Sequence, residues 1–114
     1  MQKKFRLRKT SDFGKTFKEG KRLSSPHFVL YIRENDLPHS RLGVAVSKSY
    51  LKLATRRNKI KRIAKNLFEQ EIMTGIKGRD FVLASKKKKA NDKFNEVVRE
   101  LKNFLYEVKT RSND

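Results

Sequence analysis

Arg56-Arg57-Asn58-Lys59-Ile60-Lys61-Arg62-Ile63-Ala64-Lys65 divides, when wound at about 100° per residue, into an apolar stripe and a cationic face. Ile60, Ile63, Ala64 and Leu67 fall in one sector with Phe68 at its margin, while Asn58, Lys61, Arg62 and Lys65 point the other way. One side of such a helix packs and the other meets a polar partner. Asn58 is a poor helix former among good ones, and its amide both donates and accepts, which suits a ligand on that surface. A charge run on one helix is as often merely solvated, so the rest of the chain must decide.

Working outward, this helix is expected from about residue 54 to 71, with Thr74-Gly75-Ile76-Lys77-Gly78 ending the connection after it. Asp80 to Ser85 follows as a buried strand. Upstream, Arg41-Leu-Gly-Val-Ala-Val-Ser47 and His27-Phe-Val-Leu-Tyr-Ile-Arg33 are rich in β-branched and aromatic residues, and Asn35-Asp36-Leu37-Pro38 between them carries turn chemistry. The two strands are therefore expected to form a hairpin, with a possible short strand before them between Gly20 and Pro26. Alternation places Phe28, Leu30 and Ile32 on one face and Val29, Tyr31 and Arg33 on the other.

A short helix precedes the strands. Thr10 or Ser11 can cap it, Asp12 favours its positive end, Phe13 and Phe17 sit four apart on one face, and Gly20 stops it. A last helix from about Asn91 to Lys109 has Asn91 as cap and a stripe of Phe94, Val97, Val98, Leu101, Leu105 and Val108. The expected fold class is α/β in the α+β sense: one small domain over residues 1–114, order α-β-β-(β)-α-β-α, with a three- to four-stranded sheet packed by helices. Residues 1–9 read as a basic arm and 110–114 as a flexible tail.

The charge moves the odds on the basic face. Thirty Lys and Arg against 12 Asp and Glu leave +18 on 114 residues, a self-repelling chain that a polyanionic partner best explains. Nucleic acid leads; an anionic membrane surface is a minor alternative, because no apolar run approaches the roughly 18 residues a span requires. The absence of cysteine excludes disulfides and thiolate metal sites, and with no secretory pattern at the N-terminus a cytoplasmic location is expected.

Catalytic constellations are scarce. His27 and His39 are too isolated to suggest a metal pair and neither sits near a nucleophile motif, and Glu69 and Glu71, two apart on a helix, diverge. Gly75-x-x-Gly78 follows a helix instead of opening one and is read as a loop. Phe13 and Phe17 are either core residues or a stacking platform for unpaired bases.

Arg57-Asn58-Lys59-Ile60-Lys61-Arg62, preceded by Arg41-Leu-Gly-Val-Ala-Val-Ser47-Lys48 and by Phe13-x-x-x-Phe17 with Gly20, resembles the protein subunit of bacterial ribonuclease P in order and spacing over roughly residues 5 to 109. Lys59 and Lys65 depart from the pattern, standing where arginine is common; they keep the charge without the planar fork.

The resemblance implies a left-handed strand-helix-strand crossover, against the usual rule. It also implies an RNA-binding subunit of an endoribonuclease in which the partner catalytic RNA, not the protein, holds the Mg2+ ions that hydrolyse the 5′ leader from precursor tRNA. No side chain is expected to be catalytic or to bind metal. Arg56, Arg57, Asn58, Lys59, Lys61, Arg62 and Lys65 would meet the RNA subunit. Phe13, Phe17 and Tyr31, with Arg33, Ser47 and Lys48, would receive the leader, and Lys86, Lys87, Lys88 and Lys89 would add sequence-independent attraction to phosphate. By neutralising phosphates on both RNAs the subunit would lower the magnesium requirement. A monomer is expected outside the ribonucleoprotein, with no membrane partner. A small ribosomal-type protein that cements RNA is the alternative, and a DNA-compacting protein ranks last.

Overall fold

The apolar run Phe81-Val82-Leu83 is buried on both sides, which makes its strand central. The computed structural model describes residues 3–72, 75–86 and 93–112. Along the chain come α1 (Thr10–Glu19), β1 (Lys21–Ser24), β2 (Phe28–Glu34), β3 (Arg41–Ala45), α2 (Ala54–Leu67), β4 (Arg79–Ser85) and α3 (Phe94–Ser112). The four strands lie in the order β1-β2-β4-β3, with β2 antiparallel to both β1 and β4, and β3 parallel to β4.

The hairpin expected between β2 and β3 is not formed: β4 inserts between them, pairing Tyr31 with Val82 on one side and Gly43 with Val82 on the other. An all-apolar strand needs a neighbour at each edge and cover on each face, and that requirement outweighs the closeness in sequence of β2 and β3. Their connection turns at Asp36, with φ of 59°, and Asn35 ties it to β4. The short strand after Gly20 is present as β1.

One sheet face packs on α2 and α3. Phe28, Leu30, Leu42, Phe81 and Leu83 meet Ile60, Ala64, Phe68, Val97, Leu101 and Leu105 in a continuous core. Along α2 and into the turn that follows it the fully buried line is Ile60, Ala64 and Phe68, while Ile63 and Leu67 are only partly covered, so Phe68 is central where a marginal position was expected. Each fully buried Ile or Phe contributes roughly 1.5–3 kcal/mol, which holds a helix so heavily charged on its other side. A π-helical turn, Phe68–Ile72, completes the expected helix length. Phe104 joins the α3 stripe, and that helix runs through residues 110 to 112, where a tail was expected. Its expected cap, Asn91, lies outside the described residues.

The other face carries α1. Lys9, and not Thr10 or Ser11, occupies the N-cap, without a side-chain hydrogen bond; Thr10 is already helical. At the far end Gly20 donates its N–H to the Thr16 carbonyl at 2.9 Å, and a Cβ there would stand 2.4 Å from the same oxygen and 3.0 Å from the Ile32 carbonyl. Only glycine lets the helix end so close to β2. Leu7 is buried, and its N–H donates to the Leu42 carbonyl at 3.0 Å, so the N-terminal segment lies along the outer edge of β3.

Candidate nucleic-acid interface

Register fixes what shares the α1 face. Arg22, Tyr31, Val82 and Gly43 form one row across the sheet, and Arg33, Asp80 and Arg41 form the next. Asp80 is fully buried and accepts from Arg41 through Nε at 2.8 Å and Nη2 at 2.7 Å, and from Asn35 Nδ2 at 2.8 Å. Arg33 Nη2 stands farther off, at 3.5 Å. Burial works against the Asp80 charge, yet the hydrogen bonds from Arg41 and Asn35 and the field of Arg41 prevail, holding the carboxyl below its ordinary pKa. The bond to Asp80 correspondingly raises the Arg41 pKa. Through Nη1, Arg41 also reaches Asp12 Oδ2 at 3.4 Å, which fastens α1 to the sheet.

So positioned, α1 lays its two phenylalanines differently. A Cβ on Gly43 would come within 2.3 Å of Phe13 Cζ, so the Phe13 ring rests directly on the backbone of β3. Phe17, 42% exposed, meets Tyr31 edge to face at 4.8 Å between centroids and 73° between planes. Phe13 is half-buried and Phe17 open to solvent, so neither is a core residue. Thr16 is the residue of α1 that buries fully, its hydroxyl donating to the Asp12 carbonyl at 2.8 Å.

Between α1 and α2 runs a groove of about 270 Å³ with Phe13, Leu42 and Gly43 in it and Arg6, Arg8, Lys61 and Lys65 along it. The cationic residues of α2 do not form one face. Lys61 and Lys65 line the groove; Asn58 and Arg62 stand exposed on the outer side. Arg56 and Lys59 lie over the Phe94 ring at 5.3 and 5.6 Å, toward α3. Arg57 is committed to the fold, its Nη1 donating to the carbonyls of Leu51 at 2.8 Å and Lys52 at 2.7 Å.

Among the remaining expected leader residues, Arg33 is held by carboxylates, Glu19 at 3.5 Å as well as Asp80. Ser47 shapes the turn after β3: its N–H donates to Ser85 Oγ at 3.0 Å and its Oγ accepts from the Tyr50 N–H at 3.2 Å. Lys48 beside it is exposed. Lys86 is half-buried at the end of β4, its N–H donating to the His27 carbonyl at 2.9 Å; Lys87, Lys88 and Lys89 lie outside the described residues. Arg41, Asp80 and Gly43 were not anticipated as site residues. The signals were one carboxylate opening an apolar strand and a glycine in a strand interior, which marks close approach.

Among the described residues no three His, Cys, Asp or Glu side chains gather as a metal cluster, and no helix is long and apolar enough to cross a membrane. The family model for ribonuclease P matches residues 1–109. The chain is 38% identical over 102 residues to the ribonuclease P protein component of Aliivibrio salmonicida, covering 87% of this chain and 86% of that one. Its fold resembles a Staphylococcus aureus RNase P protein mutant with defective mRNA degradation activity, at TM-score 0.76, 30% identity, and 94% and 90% coverage of the two chains. It likewise resembles the RNase P protein from Thermotoga maritima, at TM-score 0.66, 37% identity, and 88% and 94% coverage.

Proposed function

This chain belongs to the ribonuclease P protein family and is a component of the endoribonuclease that processes precursor tRNA; on that premise we propose that its α1 face receives the unpaired 5′ leader while α2 docks on the catalytic RNA. The observation that carries this reading is the groove itself. Phe13, the tip of its ring against β3, lines it with Arg6, Arg8, Lys61 and Lys65, and the aromatic pair Phe17 and Tyr31 lies farther along the same α1-covered sheet face. Aromatic faces beside a cationic channel suit single-stranded nucleic acid, whose bases are free to stack, and reject duplex, whose bases are already stacked.

Asn58 and Arg62, on the outer side of α2, are directed at the RNA subunit, and Lys61 and Lys65 are shared between the two RNAs. Arg57 acts on the same surface indirectly, by holding residues 51 and 52 against the start of α2. Hydrolysis would draw on magnesium held by the partner RNA, and no side chain of this chain is assigned to hold it. The side chains here bring two polyanions together, releasing counterions and lowering the magnesium needed for productive binding. The subunit works in the cytoplasm, where precursor tRNA is made.

The test is direct. Added to a ribonuclease P RNA at low magnesium, the chain is expected to increase the rate of 5′ leader release; an unchanged rate at every magnesium concentration overturns the proposal.

A further inference from the structure

A second cavity, of about 440 Å³, lies apart from the groove and is lined by Lys4, Phe5, Pro38, His39, Glu69 and Lys77, with Ser40 at its base. Its volume falls in the range of ligand pockets, roughly 300–1,000 Å³. Its walls are tied together before any ligand arrives. Ser40 Oγ donates to the Ile76 carbonyl at 2.8 Å and accepts from the Arg79 N–H at 3.1 Å, and the Asn35 N–H donates to the Gly78 carbonyl at 2.9 Å. The turn at 35–38 and the loop before β4 therefore form one rigid frame.

Two half-buried rings line this frame. Phe5 and His39 meet at 5.7 Å between centroids and 82° between planes, forming a corner in which a flat base laid along one ring presents its edge to the other. Lys4 Nζ stands 5.0 Å from the Phe5 centroid, and Lys77 is exposed in the cavity wall. Two ammonium groups beside an aromatic corner fit a nucleotide, phosphate on the lysines and base on the rings. The occupant's source follows from the docking already proposed: Lys4 and Phe5 line this cavity, and Arg6, Leu7 and Arg8, next in sequence, line the groove together with Lys61 and Lys65, which that reading shares with the RNA subunit.

We propose that this cavity takes up one unpaired nucleotide extruded from the partner RNA, anchoring the N-terminal segment that walls the leader groove. The proposal rests on the docking of this chain on ribonuclease P RNA. Acylation mapping of 2′-hydroxyls on that RNA, with and without the full-length chain, tests it. With the unsubstituted chain, one unpaired nucleotide is expected to change reactivity. Phe5→Ala should return that nucleotide to its free-RNA reactivity, with about a fivefold or greater loss of RNA affinity, the lower end of what one stacked base contributes. Lys77→Ala, at an exposed position that the fold does not need, should move the same nucleotide in the same direction.

Footprints identical for Lys77→Ala, Phe5→Ala and the unsubstituted chain overturn the cavity proposal and leave the docking reading standing; no footprint with the unsubstituted chain overturns both. Adenosine 5′-monophosphate distinguishes the source of the nucleotide. If it saturates the His39 ring resonances of the free chain at micromolar concentration while the RNA footprint is the same for all three chains, the cavity serves free nucleotides and the proposal fails.

Discussion

The Arg41 guanidinium spans two elements, gripping the buried Asp80 carboxylate with two bonds of 2.7 and 2.8 Å and reaching Asp12 of α1 at 3.4 Å. A salt bridge inside the sheet thus sets where the aromatic helix sits. Asp80→Ala would remove both short bonds and leave Arg41 only its longer reach to Asp12, and a loss of about 3–5 kcal/mol in unfolding free energy is expected, read by denaturant titration.

Acid should reveal the same residue. Because the folded Asp80 pKa lies below its ordinary 3.8, its ionised form stabilises the fold in full above that value, and the stabilisation disappears as pH falls through the folded pKa. The unfolding free energy of the unsubstituted chain should fall steeply below about pH 4. Asp80→Asn should flatten that slope; parallel curves would show that other carboxylates govern acid sensitivity.

Phe17 is the exposed member of the aromatic pair. Phe17→Ala in the reconstituted particle should weaken precursor tRNA binding roughly 5- to 150-fold, corresponding to one stacked base, and leave mature tRNA binding unchanged. Equal losses for the two RNAs would count against a leader cleft.

Gly43→Ala places a methyl where the Phe13 ring now lies, and the ring must swing off β3. Overpacking of this sort costs about 1–3 kcal/mol, so the chain should still fold, with precursor affinity reduced more than stability explains. Parallel measurements of melting and of precursor binding separate the two effects.

On α2, Arg62→Ala should impair particle assembly more than Lys102→Ala on α3, although both side chains are exposed and carry the same charge. Equal effects would indicate diffuse attraction without a docking face. Both substitutions should reduce the dependence of affinity on salt only slightly, by about one unit of slope or less.

Local pattern made much of this legible. The stripes of α2 and α3, the alternation of β2 and the stop at Gly20 follow from spacing alone, and the cluster at Arg57 to Arg62 carried the family resemblance. Strand order did not follow, because Phe81 to Leu83 look equally at home beside either neighbour until both faces of the sheet are covered. The basic face was legible as charge but not as division. Which of its residues serve the fold is decided by distant partners: carbonyls at 51 and 52 for Arg57, the Phe94 ring for Arg56 and Lys59. Asp80 and Arg41 lie 39 positions apart, and nothing in either neighbourhood announces the pair.

The placement of β4 between β2 and β3 also bears on how the chain comes off the ribosome. Until residue 85 has emerged, β2 and β3 have no strand to join them, and the nascent polypeptide carries unmatched hydrogen-bonding edges and an uncovered greasy surface. Parallel pairing across a long connection closes late and slowly. The RNA-gripping surface therefore cannot exist until β4 has been made, and products truncated before it should be cleared by proteases instead of competing for the ribozyme.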